Sequence, residues 1–557
     1  MYNLLIGGAA GQGVDSVTLV LELLIKHAGL KVFTMRDLMS RVRGGHNFSR
    51  LRFGSDRPLS HTEALDGIIA LNQETVDLHL KDLKPEGFLL MDDSLTCDDE
   101  RAVKLKLTET AKGLGNARAA GSVAAGAALK MMGVAVDEAG ASHAFGRALK
   151  ESLVPVNVKS VLAGHAAVPS RLLSLPTRPD EEMLLSGAQA LSLGAMSAGL
   201  QFYSAYPMSP STTILEYLAQ SATSLGFVVE QAEDEIAAIN LALGASFAGA
   251  RAMTGTSGGG LSLMVESFGL AGIAEIPLVI VNAMRPGPAT GLPTRSEQSD
   301  LRFVIHASQG EFPRMVIALR DHQDAFLQTA RAFQMAEKYQ IPVILLTDQF
   351  LQDSSTTLPL FDPAKIVQPK PEDIDPGQDY LRYRYTDSGI SPRIFPGDPR
   401  GFAAVDSDEH DEAGHIIEDS ETRIKMMDKR MRKLELLKEE LLEPLFIGDE
   451  LADTLLIGWG SLQGSIEEAV QLLNAQGKGR YGALVFGDVW PLPQRLLTEK
   501  AKTAKALINV EQNFTGQLAG LIREETGITM HHSVLKYDGR QLTGDEIAQR
   551  VIKEVSA

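Results

Sequence analysis

The chain has 557 residues, which is enough for three or four domains. Its net charge of -18 disfavours nucleic acid as a partner, because a phosphate backbone attracts cationic surfaces. Its one cysteine, Cys97, excludes an internal disulfide, and it excludes an iron–sulfur cluster held by this chain alone, since such a cluster needs about four thiolates.

The sequence contains no sign of a membrane segment or a secretion signal. No run of about 18 apolar residues occurs, so we predict no membrane span. The N-terminal segment from Met1 to Gly7 lacks a basic region before its apolar residues, which favours a first strand over a signal peptide. We therefore expect a cytoplasmic protein.

Residues 1–178 have the pattern of one α/β domain, with a proline-bearing linker at its end. Strand-like and helical segments alternate, which predicts a parallel sheet with helices on its faces. The first strand enters a glycine-rich turn, Gly7–Gly13, and an apolar helix follows it. The strands are predicted at residues 3–6, 31–34, 67–71 and 87–91.

The same alternation returns twice, at residues 179–352 and 451–557, so we predict an α/β protein with three open parallel-sheet units. Between them, residues 353–450 begin with a long loop rich in proline, aspartate and glycine. The charged segment 421–442 has apolar residues at helical spacing, which predicts an amphipathic helix. That helix either packs on its own domain or contacts another subunit.

Four segments of the second domain carry the candidate site. The first is the turn from Tyr206 to Thr212, in which Pro207 and Pro210 fix the backbone. The hydroxyls of Ser211 and Thr212 suit a helix N-cap. Ser209 lies between the prolines and has no such role, so it is the better candidate for touching a ligand.

The second and third segments are an acidic helix start and a glycine-rich turn. Glu235 follows a predicted strand and opens an alanine-rich helix, where an acidic residue also complements the helix N-terminus. The turn Thr254–Gly260 contains Thr256 and Ser257 and ends another strand. Such a turn presents backbone N–H groups to an anion or a polar ring.

The fourth segment, residues 284–300, is rich in proline, glycine and threonine and carries Arg285, Thr294 and Arg295. A guanidinium group binds a carboxylate in bidentate fashion, which favours a site for an acid. The alternative is a surface loop that its prolines stiffen.

Taken together and in this order, the four segments resemble the alpha subunit of the 2-oxoacid:ferredoxin oxidoreductases. The resemblance covers nearly the whole chain, with an N-terminal domain that other members carry as a separate gamma subunit. The family's YPxTPS motif reads Tyr206-Pro-Met-Ser-Pro-Ser211 here, so Ser209 replaces the family's threonine. The loop Arg285–Thr294 matches the family's R-x-GP-x-TGLPT pattern.

The resemblance implies a thiamine diphosphate site shared by two subunits. The central domain is then the pyrimidine-binding fold and the last one a transketolase C-terminal-like fold. Glu235 holds the aminopyrimidine, Arg285 and Thr294 hold the 2-oxoacid, and the other cofactor-binding residues lie in the two turns. These are Tyr206, Pro207, Ser209, Thr256 and Ser257.

The resemblance also implies partners, because the G-D-G motif that ligates Mg²⁺ and diphosphate is missing from this chain. We predict no metal ligands here and assign Mg²⁺ and a [4Fe-4S] cluster to a beta subunit, in a dimer of heterodimers. The reaction is the coenzyme A-dependent, reversible oxidative decarboxylation of a 2-oxoacid with ferredoxin as electron acceptor. The fused layout and the TGLPT loop favour 2-oxoglutarate over pyruvate.

Near the N-terminus, arginines gather from residue 36 to residue 52 in an otherwise acidic chain. Arg41, Arg43 and Asn47 are candidates for binding coenzyme A, and ion pairing across a subunit interface is the alternative. Two further functions fit parts of the sequence: a nicotinamide-linked dehydrogenase component and a non-catalytic scaffold. The first is disfavoured because Ser16 stands where the dinucleotide motif needs its third glycine.

Overall fold

A computed structural model describes residues 1–39, 45–177, 182–367 and 379–556. The chain divides into two compact units. The first contains residues 1–186, 353–360 and 543–545, and the second contains residues 187–352, 361–542 and 546–557. The polypeptide therefore leaves the first unit and returns to it more than once.

The first unit is built on an eight-stranded sheet with the order β6-β5-β4-β1-β3-β2-β14-β7. Its strands are β1 (Tyr2–Ala9), β2 (Lys31–Leu38), β3 (His46–Gly54), β4 (Leu65–Ala70), β5 (Leu83–Asp92), β6 (Ala102–Leu105), β7 (Met183–Ser186) and β14 (Ser355–Leu358). Its helices are α1 (Val14–His27), α2 (Gln73–His79), α3 (Leu107–Gly113), α4 (Ala120–Met131), α5 (Glu138–Ala148) and α6 (Val154–Ala166).

This first sheet is mixed rather than parallel throughout. Strands β1, β4, β5 and β6 run parallel, as the sequence predicts. Strand β3 is antiparallel to both β1 and β2. Its arginines conceal the strand pattern in the sequence, although Arg50 is buried.

Two short strands extend the first sheet beyond the predicted domain limits. Strand β7 pairs with β14, which pairs in turn with β2. Residues 183–186 and 355–358 therefore belong to the first sheet, although the sequence places them in the second domain and in the long loop. A strand of four residues leaves too short a pattern to be recognised.

Helices α4 and α6 of the first unit pack with almost no space between their backbones. A Cβ on Gly126 would collide with the carbonyl of Val161, and one on Gly164 with the carbonyl of Val123. The small residues of α4 therefore serve close helix packing.

The second unit contains a seven-stranded sheet with the order β18-β12-β13-β11-β10-β8-β9, parallel except at β18. Its strands are β8 (Phe202–Ala205), β9 (Val228–Gln231), β10 (Ala252–Thr256), β11 (Leu278–Met284), β12 (Met315–Ala318), β13 (Pro342–Asp348) and β18 (Asp488–Trp490). The helices between residues 187 and 353 are α7 (Gly187–Ser197), α8 (Thr212–Leu225), α9 (Glu235–Phe247), α10 (Gly258–Ile273), α11 (Leu301–His306), α12 (His322–Tyr339) and α13 (Gln349–Asp353).

A five-stranded sheet with the order β15-β17-β16-β19-β20 completes this unit, and it is parallel except at β15. Its strands are β15 (Leu445–Gly448), β16 (Thr454–Trp459), β17 (Tyr481–Phe486), β19 (Ala506–Glu511) and β20 (His532–Leu535). The remaining helices are α14 (Ser420–Lys438), α15 (Gln463–Ala475), α16 (Arg495–Ala501), α17 (Gln517–Thr526) and α18 (Gly544–Ser556). The predicted α/β class with three sheets is confirmed.

Helix α14 is the predicted amphipathic helix, and it packs on its own unit through a charged face. Lys429 and Lys433 are buried and both donate to the carboxylate of Glu275, which follows the end of α10. The predicted apolar stripe is only partly buried, since Ile424 is exposed and Leu437 is buried.

Candidate active site

The four predicted segments lie at one edge of the seven-stranded sheet. They follow β8, β9, β10 and β11, which are adjacent parallel strands. Because the carboxyl ends of parallel strands meet at the same edge, the turn residues gather there, which is where open α/β sheets bind ligands.

Glu235 is the buried acid of this site. It is the first residue of α9, and the preceding Asp234 caps that helix by accepting a hydrogen bond from the N–H of Ala237 at 2.7 Å. Glu235 is only 4% exposed, and its Oε1 has no hydrogen-bond partner. A buried carboxylate oxygen without a donor is unfavourable, so this atom is suited to a ligand that donates a hydrogen bond.

The glycine-rich turn after β10 lies directly against this acid. A Cβ on Gly260 would stand 2.8 Å from Glu235 Oε1 and would collide with the hydroxyl of Thr256. Ser257 is fully buried and its hydroxyl has no partner, although it occupies the N-cap position of α10. The turn thus brings Thr256 to Glu235, and the adjacent Ser257 adds a second unsatisfied polar group to the turn.

The turn after β8 is fixed partly by its own hydroxyls. Ser211 donates to the carbonyl of Met208 at 2.8 Å, and Thr213 to that of Pro210 at 3.0 Å. Ser211 occupies the N-cap position of α8 but forms no side-chain cap there. Tyr206 is exposed, and Pro207 and Ser209 are half-buried, so the segment is accessible from outside.

Arg285 joins the turn after β8 to the loop after β11. Its Nη1 donates to the carbonyl of Ser209 at 2.8 Å, while its Nε is buried without a partner. Burial lowers the pKa of Arg285, and the carboxylate of Asp300 opposes that shift. The guanidinium therefore keeps hydrogen-bonding capacity for an anion.

One predicted site residue is not joined to the others in the structure. Thr294 is half-buried in the loop after Arg285, and no hydrogen bond among the described residues joins it to Glu235 or Arg285. Sequence reasoning also missed Asn282, which is fully buried at the end of β11 and donates to Asp300 at 3.0 Å. A polar residue inside an apolar strand was the available signal.

The basic segment of the first unit is largely engaged in internal contacts. Arg36 pairs with Glu22 at 2.8 Å, and Arg50 pairs with Glu63 and Asp82. Of the three coenzyme A candidates, Arg41 and Arg43 lie outside the described residues. The third, Asn47, accepts a hydrogen bond from the N–H of Met39 at 2.8 Å.

Among the described residues, no three His, Cys, Asp or Glu side chains are grouped so as to hold a metal ion. No described helix is both long and apolar enough to cross a membrane.

A buried carboxylate at the start of a helix, set against a glycine-rich turn of a parallel sheet, defines the pyrimidine-binding class of thiamine diphosphate domains. Residues 193–429 match the family model described as pyruvate flavodoxin/ferredoxin oxidoreductase, thiamine diphosphate-binding. Residues 3–167 match pyruvate ferredoxin/flavodoxin oxidoreductase, and residues 452–547 match core domain II of pyruvate:ferredoxin oxidoreductase.

Relatives match over two thirds of the chain or more. The 2-oxoacid:ferredoxin oxidoreductase subunit alpha of a Sulfolobus species is 32% identical over 99% of this chain and 96% of its own. The 2-oxoglutarate synthase subunit KorA of Methanothermobacter marburgensis is 30% identical over 67% of this chain and 99% of its own. The chain belongs to the alpha subunits of the 2-oxoacid:ferredoxin oxidoreductases.

A solved structure agrees with this assignment. The 2-oxoglutarate:ferredoxin oxidoreductase of Magnetococcus marinus, with 2-oxoglutarate, coenzyme A and succinyl-CoA bound, is 32% identical. The superposition covers 100% of this chain and 99% of the Magnetococcus marinus chain, with a TM-score of 0.92. The family match over residues 3–167 includes the glycine-rich turn after β1, so the nicotinamide-linked alternative gains no support there.

Proposed function

We propose that this chain supplies the aminopyrimidine half of a thiamine diphosphate site in an enzyme that converts a 2-oxoacid to acyl-CoA and carbon dioxide, reversibly. The observation that carries this proposal is the buried Oε1 of Glu235, which lacks a hydrogen-bond donor. The preferred substrate is 2-oxoglutarate, which the bound ligands of the Magnetococcus marinus enzyme support.

Thiamine diphosphate, when bound, supplies a carbon nucleophile that adds to the keto group of the substrate. The contribution of Glu235 is to hold a proton between its Oε1 and a ring nitrogen, which fixes the tautomer of the aminopyrimidine. Thr256 and Ser257 line the same cradle, and the missing side chain of Gly260 leaves space beside the carboxylate. Tyr206, Pro207 and Ser209 form the accessible side of the cofactor site.

Arg285 binds the carboxylate of the 2-oxoacid. Its Nη1 is held by the carbonyl of Ser209 and its Nε is free to donate, so the guanidinium is oriented before substrate arrives. A partly buried guanidinium binds a carboxylate more strongly than an exposed one, because water screens it less. Thr294 assists from the same loop.

A beta subunit completes the site. It supplies Mg²⁺, the diphosphate contacts and the [4Fe-4S] cluster, and ferredoxin takes the electrons. Exposed apolar side chains on the two helices that begin at the site support this assignment, because apolar surface left exposed on one chain is often covered by a partner. The exposed apolar residues of α9 and α10 are Ile236, Leu241 and Leu263. We propose a dimer of heterodimers in the cytoplasm.

Coenzyme A is the acyl acceptor in this proposal. The support is the coenzyme A bound to the Magnetococcus marinus enzyme. Arg41, Arg43 and Asn47 remain its proposed contacts, since Arg36 and Arg50 of the same segment already have carboxylate partners.

The test is ferredoxin reduction by the chain purified with its beta subunit, on a panel of 2-oxoacids with coenzyme A. Glu235→Gln removes the charge of the buried acid, and we expect a loss of about 10²- to 10⁴-fold in kcat, the size of a lost acid–base function. Glu233→Gln is the matched control, because Glu233 is exposed two residues earlier. Equal activity of the two variants would refute the role of Glu235.

A further inference from the structure

The loop after β11, residues 285–300, is held at its start and at its end by different parts of the second unit. At its start, Arg285 Nη1 donates to the carbonyl of Ser209 at 2.8 Å. The N–H of Leu292 then donates to the carbonyl of Pro286 at 3.0 Å, which closes the first half of the loop on itself. The second half is bonded to the segment that follows β19.

Gln298 is the centre of this second attachment. It is fully buried, its N–H donates to the carbonyl of Gln512 at 2.7 Å, and its Oε1 accepts from the N–H of the same residue at 3.1 Å. Its Nε2 donates to the carbonyl of Trp459 at 2.8 Å. Asn513 Nδ2 donates to the backbone carbonyl of Gln298 at 3.0 Å. Both backbone groups and both ends of the amide are therefore paired, as a buried polar residue requires.

Gln517 adds two more hydrogen bonds to the same attachment. It is the first residue of α17 and is half-buried. Its Nε2 donates to the carbonyl of Ser299 at 2.7 Å, and its Oε1 accepts from an N–H in the first turn of α11 at 2.9 Å. Because the first N–H groups of a helix have no partner inside it, this bond also fixes the point at which the loop ends and α11 begins.

A buried carboxylate orders the segment that makes these bonds. Glu511, at the end of β19, is fully buried. Its Oε2 accepts from Trp459 Nε1, Asn513 Nδ2 and the N–H of Leu518, at 3.1, 2.8 and 3.0 Å. Hydrogen bonds to a charged group are stronger than those between neutral groups, so the donors have fixed orientations. Residues 511–517 therefore form an ordered support, which we call the 511–517 segment.

We propose that the 511–517 segment positions the loop after β11, and with it Thr294, for binding of the 2-oxoacid. Thr294 lies between Leu292, which is bonded to the first half of the loop, and Gln298, which is bonded to the segment. The inference rests on the proposed function, because that proposal assigns the 2-oxoacid to Arg285 and Thr294. It gives the last sheet of the chain a part in substrate binding that is exerted through the loop.

The physical reason is conformational entropy. A loop that is ordered before the substrate arrives loses little freedom on binding, whereas a loose loop must be ordered at the expense of affinity. The hydrogen bonds of Gln298 and Gln517 restrict the loop in advance. Their loss should therefore weaken substrate binding more than it slows the chemical step.

The test uses Gln517→Met in the chain purified with its beta subunit. Methionine has about the length of glutamine but no amide, so both hydrogen bonds to the loop and to α11 are lost. We expect the KM for the 2-oxoacid to rise about tenfold, with kcat changed by less than about threefold. Initial rates of ferredoxin reduction at varied 2-oxoacid measure both constants.

Gln463→Met is the matched control. Gln463 is likewise the first residue of its helix, α15, and it is half-buried. Its Nε2 donates to Asp321 at 3.0 Å, so the variant removes a side-chain hydrogen bond of the same kind away from the loop. We expect wild-type KM and kcat.

Amide hydrogen exchange in the complex without substrate is the second measurement. Exchange reports local opening of the backbone, so Gln517→Met should speed the exchange of residues 296–300 and Gln463→Met should not. This measurement needs no turnover.

The proposal stands if the KM rises at least about fivefold in Gln517→Met and stays within about twofold of wild type in Gln463→Met. Any other pair of results overturns it, and so does unchanged exchange of residues 296–300. Loss of folding in Gln517→Met also overturns it, because the segment would then serve the stability of the unit. A wild-type complex that oxidises no 2-oxoacid would refute the proposed function, and the exchange rates would still decide whether the segment holds the loop.

Discussion

Gly260 and Glu235 are in direct contact: a Cβ on Gly260 would stand 2.8 Å from Oε1 of the buried acid. The glycine in α10 thus determines how much room the carboxylate has. In the proposed site the cofactor also occupies this space, so the size of the space depends on two residues of different helices, α9 and α10.

Gly260→Ala should weaken thiamine diphosphate binding. Because the new methyl group would also collide with the hydroxyl of Thr256, either that side chain or Glu235 must move. We expect a loss of affinity of about tenfold or more, consistent with the cost of overpacking a tight site. Fluorescence titration of the complex with the cofactor measures it. Gly244→Ala in α9, where a Cβ meets open space, is the control.

Arg285→Lys should separate substrate binding from catalysis. A single ammonium group cannot donate both to the carbonyl of Ser209 and, in bidentate fashion, to a carboxylate. The KM for the 2-oxoacid should therefore rise by about 10- to 100-fold, with a smaller change in kcat. Initial rates at varied 2-oxoacid measure both. Arg302→Lys alters a surface pair with Glu524 and should leave the KM unchanged.

Glu275→Gln should destabilise the second unit. Glu275 faces two buried ammonium groups, Lys429 and Lys433, and their attraction together with that of Arg382 lowers its pKa against the effect of burial. Removing the carboxylate leaves both ammonium groups buried without their counter-charge, which costs about 3–5 kcal/mol. Urea unfolding measures the change. Glu435→Gln, in an exposed pair with Lys438, should change stability by less than about 0.5 kcal/mol.

Asp348→Asn should alter the dependence of stability on pH. Burial raises the pKa of Asp348 to about 6, although Ser461 donates to the carboxylate. The folded state therefore binds this proton more tightly than the unfolded state, so stability falls as the pH rises from about 4 to about 6. The expected loss is about 3 kcal/mol at most.

The asparagine does not titrate, so that part of the pH dependence should disappear. Urea midpoints between pH 4 and pH 7 measure it, and Asp428→Asn, at an exposed position of α14, is the control. An identical slope for Asp348→Asn and wild type would contradict the assignment.

The positions of the candidate residues were predictable where they directly follow a clearly marked strand, and their roles stay predictions. Glu235 and Arg285 follow strands that the sequence marks clearly, and adjacent parallel strands place them at one edge. The pairing of Asn282 with Asp300 was not predictable, because it depends on how the loop after β11 folds back. Thr294 stays a prediction.

The fold was predictable where apolar patterns are strong, as in the central sheet. Strand β3 was missed because its arginines suggest a ligand-binding loop rather than a buried strand. Their carboxylate partners, such as Asp82 for Arg50, are visible only in the structure. The buried face of α14 was missed for a similar reason, since the partner of Lys429 lies 154 residues away. Long-range charge pairing leaves no periodic signal in a sequence.

Strands β7 and β14 lie immediately before and after the central domain in the chain and pair antiparallel. Met183 is opposite Leu358 at one end, and Ser186 is opposite Ser355 at the other. This pairing holds together the two points at which the chain enters and leaves the central domain. The β7–β14 pair closes a long loop of the chain. Bringing the two ends of that loop together costs conformational entropy, and the hydrogen bonds of the first sheet offset this cost. If a protease cut the chain between β7 and β14, the two fragments would still be held together by the hydrogen bonds between these strands.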